Sequence, residues 1–168
     1  MAAKLFGSVL IILSAALCGI FYSQLPMRRY KNLISVASCL EILENEIDFS
    51  ADAIDEIFNR ISRLTGTECI FKTAADLGRE ISVGERWKRA VERDREALCL
   101  KKEDCEIIKL LAAELGMTGK EGQIKSIRHV RALLGKQIIA AEEDYKKSAK
   151  LYRSLGIAGG IFIAILLF

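Results

Sequence analysis

Hydrophobic and polar positions divide the chain into two apolar ends and a long amphipathic middle. Residues 5–25 form an uncharged run of twenty-one, broken only by small or weakly polar residues such as Gly7, Ser14, Gly19 and Ser23. A helix of that length crosses a bilayer. From residue 155 the charges vanish again, and the fourteen residues 155–168 are apolar all round, which suits lipid rather than one face of a core. At ~1.5 Å per residue this tail reaches roughly 21 Å against about 30 Å of hydrocarbon. A further turn from Leu151, with Lys150 and Arg153 snorkelling to the headgroups, closes part of that gap. The competing readings are a cleaved leader at the front and a tail that docks on its own protein.

Between the runs the apolar period is helical wherever it can be read. Leu33, Ala37, Leu40, Leu43 and Ile47 share one face of a first helix. Ile54, Ile57, Phe58, Ile61 and Leu64 share one face of a second, with Ser50 or Asp52 as its N-cap, and Gly66 ends it. Ile70, Phe71, Ala74 and Leu77 make a short third helix closing near Gly78. Ser82-Val83-Gly84-Glu85 is a capping box for a fourth helix that carries Trp87, Ala90, Val91 and Leu98. Ile107, Ile108, Leu111 and Leu115 mark a fifth, stopped by Gly116. A sixth starts after Gly119 with Ile127, Leu134, Ile138, Ala141 and Tyr145 as its stripe, and runs without proline into the tail. No stretch alternates with period two, so the pattern predicts an all-α, antiparallel bundle of about six helices. The domain plan is a transmembrane helix at 5–25, a bundle at 28–153 and a C-terminal transmembrane helix at 155–168.

Charge orients this plan. Arg28, Arg29 and Lys31 follow the first run against Lys4 alone before it; Lys146, Lys147, Lys150 and Arg153 precede the second, with nothing basic after it. The positive-inside rule therefore puts 28–153 in the cytoplasm and both termini outside. That interval holds 24 basic and 22 acidic residues, a balance that gives no support to nucleic-acid binding. Five cysteines, odd in number and never at CxxC spacing, argue against disulfides and zinc and fit a reducing compartment.

Candidate chemistry is sparse. His129 is the only histidine, which excludes histidine-cluster metal sites, and its neighbours Lys125 and Arg128 suggest a solvated face. Cys99 and Cys105 lack a partner base and read as core thiols. Glu41, Glu44 and Asp48 stack on one helix, where oxygen ligands seldom close a cation site, so they read as a solvated acidic face. Residues 116–122 are glycine-rich but lack the spacing and preceding strand of a phosphate loop. No catalytic, metal or cofactor residues are expected. The partner-binding candidates are Arg86, Trp87, Arg89 and Arg93 on the fourth helix: a half-buried Trp ringed by cations offers a docking face for an acidic partner, against the plainer reading of a core Trp beneath a salt-bridged surface. In the apolar runs, Ala15-x-x-x-Gly19 and Gly156-x-x-x-Gly160 are small-x-x-x-small patterns for helix packing, within one chain or in a homo-oligomer.

Several stretches in order resemble the stage III sporulation protein AB family of endospore-forming bacteria: Leu40-Glu41-Ile42-Leu43-Glu44-Asn45-Glu46-Ile47, Trp87-x-x-Ala90, Asp104-Cys105-Glu106-Ile107-Ile108, Leu115-Gly116 followed by Gln123, and Ser154-Leu155-Gly156 before the apolar tail. The chain departs from the family after Ile47, where an aromatic-glycine step and a proline give way to Phe49-Ser50 and Asp52-Ala53-Ile54. The resemblance implies a cytoplasmic bundle similar to the type II secretion system protein F domain. It also implies a non-enzymatic platform in the mother-cell membrane around the forespore, with other stage III sporulation proteins and a secretion-type ATPase as partners. No catalytic residues carry over. The alternatives are an enzyme, for which the residues form no constellation, and a membrane-tethered regulatory or ligand-binding module.

Overall fold

The computed structural model describes residues 2–50, 52–65, 70–78 and 80–167, with side chains described from 24 to 151 except 51, 65–69, 79 and 149. Among the described residues there are six α-helices and no strand: α1 (Ala2–Phe49), α2 (Ile54–Thr65), α3 (Ile70–Asp76), α4 (Val83–Asp94), α5 (Lys102–Lys109), a 3-10 turn (Leu110–Ala113) and α6 (Lys120–Leu167). Both apolar runs are thus continuous with bundle helices, and α1 passes through Pro26. Among the described residues no helix is long and apolar enough to cross a membrane. The side chains of 5–23 and 155–168 lie outside the described residues, and with them the greater part of both expected spans.

The chain divides into two compact units, Met1–Tyr30 with Ala140–Phe168, and Lys31–Ile139. In the first, the buried Arg29 places Nη1 3.6 Å from Asp144 Oδ2. One turn on, Lys146 reaches Glu142 at 2.6 Å along α6.

The second unit holds the core of interest. Leu33, Val36, Leu40, Leu43 and Ile47 of α1 are buried at helical spacing, Val36 taking the place expected for Ala37. From α6 come Ile127, Val130 and Leu134. The two helices run antiparallel, since Glu41, Glu44 and Asp48 in ascending order meet Arg131, Arg128 with Arg131, and Lys120 in descending order. The middle of the core is aromatic: Phe58, Phe71 and Trp87 have ring centroids 5.1 to 5.7 Å apart, with Phe58–Phe71 and Phe71–Trp87 edge-to-face. Each such pair adds about 0.5–1.5 kcal/mol beyond the area it buries.

Local expectations fail where a turn competes with the helical period. Neither Ser50 nor Asp52 caps α2: the Ala53 carbonyl accepts from the Glu56 and Ile57 amides, and Asp52 is drawn to Arg60 at 2.5 Å. At α4 the Ser82 hydroxyl accepts from the Glu85 amide at 3.3 Å, whereas the Glu85 carboxylate pairs with Lys88 at 2.8 Å. α4 stops at Asp94, so Leu98 lies in a turn, where its carbonyl accepts from Asn32 Nδ2 at 2.8 Å and Cys99 is left-handed at φ 55°. The fifth helix tightens to 3-10 geometry at Leu110 before Gly116 (φ 72°) ends it in the left-handed turn its lack of a Cβ permits.

Candidate protein-interaction surface

The fourth helix was the sequence candidate, and its two faces separate sharply. Trp87 is fully buried, and its Nε1 donates to the Ile108 carbonyl at 2.8 Å. This corrects the half-buried anchor: with its one polar group satisfied inside, the indole gains more from the aromatic core than from the surface. Arg86 is likewise buried, 2.6 Å from Asp55 Oδ1. It ties α4 to α2 and presents no charge to a partner. Gly84 allows α4 to lie directly on the 3-10 turn; a Cβ there would stand 2.2 Å from the Ala112 carbonyl oxygen.

Arg89 and Arg93 point the other way, exposed and without an ion pair among the described residues. Around them the carboxylates are already engaged. The Glu85 carboxyl is held below its ordinary value first by the Lys88 hydrogen bond, and Lys109 does the same for Glu92 while also reaching Glu106 at 3.1 Å. Lys88 and Lys109 are thus the first partners of these carboxylates; Arg89 acts on Glu85 through charge alone, and Arg89 and Arg93 stay open to an external anion.

The acidic stack on α1 is not a solvated face. Glu44 is buried and accepts from Arg128 Nε at 2.6 Å and Arg131 Nη1 at 2.8 Å, while Glu41 takes the other arm of Arg131 at 2.7 Å. Burial pushes the Glu44 carboxyl up, but the hydrogen bonds and charges of the two arginines outweigh it and leave the group below its ordinary value. Among the described residues no group of His, Cys, Asp and Glu is arranged to hold a metal. Cys39 and Cys105 are buried, and burial raises the Cys105 thiol, which lowers its thiolate fraction; Cys99 is half-buried. His129 is exposed. The side chains of Ala15, Gly19, Gly156 and Gly160 lie outside the described residues.

A second surface escaped the sequence reading. Phe49, the last residue of α1, is exposed in the wall of an open cleft of about 470 Å³ that Ile47, Asp52, Ile54, Ile57 and Lys120 also line, and Met117, in the turn before α6, is exposed outside that lining. Phe49 is helical but falls off the Leu33–Ile47 stripe, and Met117 lies in a turn that no helical period reaches.

The comparisons with known proteins follow the same layout. The family model for stage III sporulation protein AB matches residues 4–168. The chain belongs to the stage III sporulation protein AB family. The stage III sporulation protein AB of Bacillus subtilis (strain 168) is 24% identical over 169 residues, covering 98% of each chain. A solved structure of a stage III sporulation protein AB matches with a TM-score of 0.63 at 22% identity, covering 71% of this chain and 97% of that one, a likeness of fold. Among the described side chains of this family member, the stretches that carried the resemblance supply packing, capping and ion-paired groups. Leu40 and Leu43 are core, Trp87 and Ala90 are core, Asp104 accepts from the Lys101 amide at 2.8 Å to start α5, and Gly116 forms the turn after the 3-10 helix.

Proposed function

We propose that the protein is a non-enzymatic membrane platform component of a secretion-like complex between mother cell and forespore. The observation that carries this is the family match over 4–168, which takes in both apolar ends as well as the bundle between them. The runs 5–25 and 155–168 anchor the chain in the mother-cell membrane, the basic flanks hold 28–153 in the cytoplasm, and the bundle couples a cytoplasmic ATPase to the assembly. Arg89 and Arg93 are the contact offered to an acidic partner surface; an exposed pair of cations outside any close ion pair favours encounter with such a surface and sets its register. Ala15, Gly19, Gly156 and Gly160 let the anchors pack closely in the membrane.

The test is crosslinking and co-purification of the full chain from sporulating-cell membranes, beside a variant carrying Arg89→Glu and Arg93→Glu. Arg86 is left intact because reversing it would set a buried carboxylate against Asp55. Capture of an ATPase or another sporulation membrane protein by the native chain, lost in the variant, supports both platform and contact face. Capture that survives the reversal moves the face elsewhere. A native chain that brings down no protein removes the platform reading in favour of a tethered regulator.

A further inference from the structure

Phe49 and Met117 are the two most exposed large apolar side chains among the described residues, at 87% and 75%. They belong to adjoining turns of the Lys31–Ile139 unit. Gly116, next to Met117, faces Ile54 and Val83, and Lys120 at the start of α6 binds the α1 terminus through Asp48 Oδ1 at 3.0 Å. The cleft beside Phe49 has Ile47, Ile54 and Ile57 in its floor. Apolar side chains gathered at one place and rimmed by charge are the signature of a surface that a partner covers.

Charge indicates the partner. Segments 46–56 and 114–121 carry seven carboxylates and one cation, Lys120. Arg60 reaches in to Glu46 and Asp52, Arg86 reaches Asp55, and Arg63 lines one groove with Glu56. Seven carboxylates against these four cations leave a net −3 in a chain whose formal charge is +3. An anionic lipid surface is repelled by such a rim. A second copy presenting the same turns would set acid against acid.

We propose that these two turns form a docking surface for a basic amphipathic helix of another protein. Its apolar positions cover Phe49 and Met117, and its flanking Lys or Arg meet Glu56 and Glu121, the exposed carboxylates of this rim that no ion pair among the described residues engages. The surface shares no residue with the α4 face, and it stands or falls separately from the platform reading.

The test uses the full chain in sporulating cells, with a photoreactive phenylalanine analogue replacing Phe49 or Met117 and, as a control, the exposed Lys136 on α6. The crosslinked peptide is then sequenced by mass spectrometry. The expected result is the same basic amphipathic segment of one other protein from positions 49 and 117, absent from 136. Yield should fall about tenfold with Glu56→Lys and Glu121→Lys together, the loss of about 1.4 kcal/mol that two reversed contacts of surface strength produce. Both glutamates are exposed and outside the ion pairs above. If that double variant melts lower than the native chain, Met117→Ser with the probe at 49 replaces it, and the same fall in yield is required. Adducts to a second copy, to lipid or to an acidic segment overturn the proposal, as does a yield that equals the control or ignores the substitutions. Loss of capture in the Arg89→Glu, Arg93→Glu variant with position 49 still crosslinking strikes the α4 face alone.

Discussion

At Gly84 a single hydrogen atom decides how closely α4 approaches the 3-10 turn. A Cβ would sit 2.2 Å from the Ala112 carbonyl oxygen, and because that oxygen is backbone it cannot rotate away. Gly84→Ala should therefore lower stability by about 1–3 kcal/mol, the ordinary cost of overpacking, read as a fall in the denaturant midpoint with the slope unchanged. Arg86 offers a second case. Its guanidinium is buried against Asp55, whose side chain is 18% exposed, so Arg86→Ala should cost about 3 kcal/mol, the low end for breaking a buried pair. Arg89→Ala, three residues on and exposed, should stay within about 0.5 kcal/mol. Equal losses at 86 and 89 in thermal melts would show that the two arginines do not divide between core and surface as placed. Neither assignment is visible in the string Glu85-Arg86-Trp87-Lys88-Arg89, where both arginines carry the same charge and flank the same indole.

At the scale of elements, α1 and α6 are held by an ionic seam as well as an apolar one. Glu44 lies between them, with Arg128 and Arg131 keeping its carboxyl below the ordinary value despite burial. A carboxyl depressed in the folded state stabilises the fold above its unfolded value, about 4.3, and that contribution is lost as pH falls through the folded value. The melting temperature should thus drop on acidification below about pH 4.3, and Glu44→Gln should lower it at neutral pH while flattening that acid limb. Arg128 is 69% exposed, so solvent screening holds the neutral-pH cost to about 1–2 kcal/mol. An acid limb as steep in the variant as in the native chain would assign it to other carboxylates. The period of apolar residues foresaw both helices but not their pairing, since Glu41, Glu44 and Asp48 look solvated until a cation from a distant segment is placed over them.

For the whole molecule, the proposed topology makes a direct prediction. In a background with the five native cysteines replaced, and with the chain produced in non-sporulating cells so that its membrane is the cell surface, a cysteine at Ala2 should react with a membrane-impermeant thiol reagent in intact cells. One at Lys101 should react only after the membrane is opened. The reverse pattern would invert the topology, and labelling of both without permeabilisation would remove the spans altogether. Removing 155–168 should leave the chain membrane-bound through 5–25, checked by its resistance to alkaline extraction.

Sequence alone determined that the protein is helical, where most helices begin and end, and most of the apolar residues that line them, Leu64 at 65% exposure being an exception. Those properties follow from local rules: a 3.6-residue period, a serine before a helix, a glycine after it. It also carried the family resemblance, through Leu40, Trp87, Asp104 and Gly116, residues that proved to pack and cap. Only the tertiary structure decided which side of α4 meets solvent, that Trp87 donates inward to Ile108, that Glu44 is clamped by α6, and that Phe49 and Met117 come to adjoining turns. Each of these depends on contacts between residues far apart in the chain. Burial and charge pairing are properties of that juxtaposition, and no local pattern of hydrophobic and polar positions encodes them.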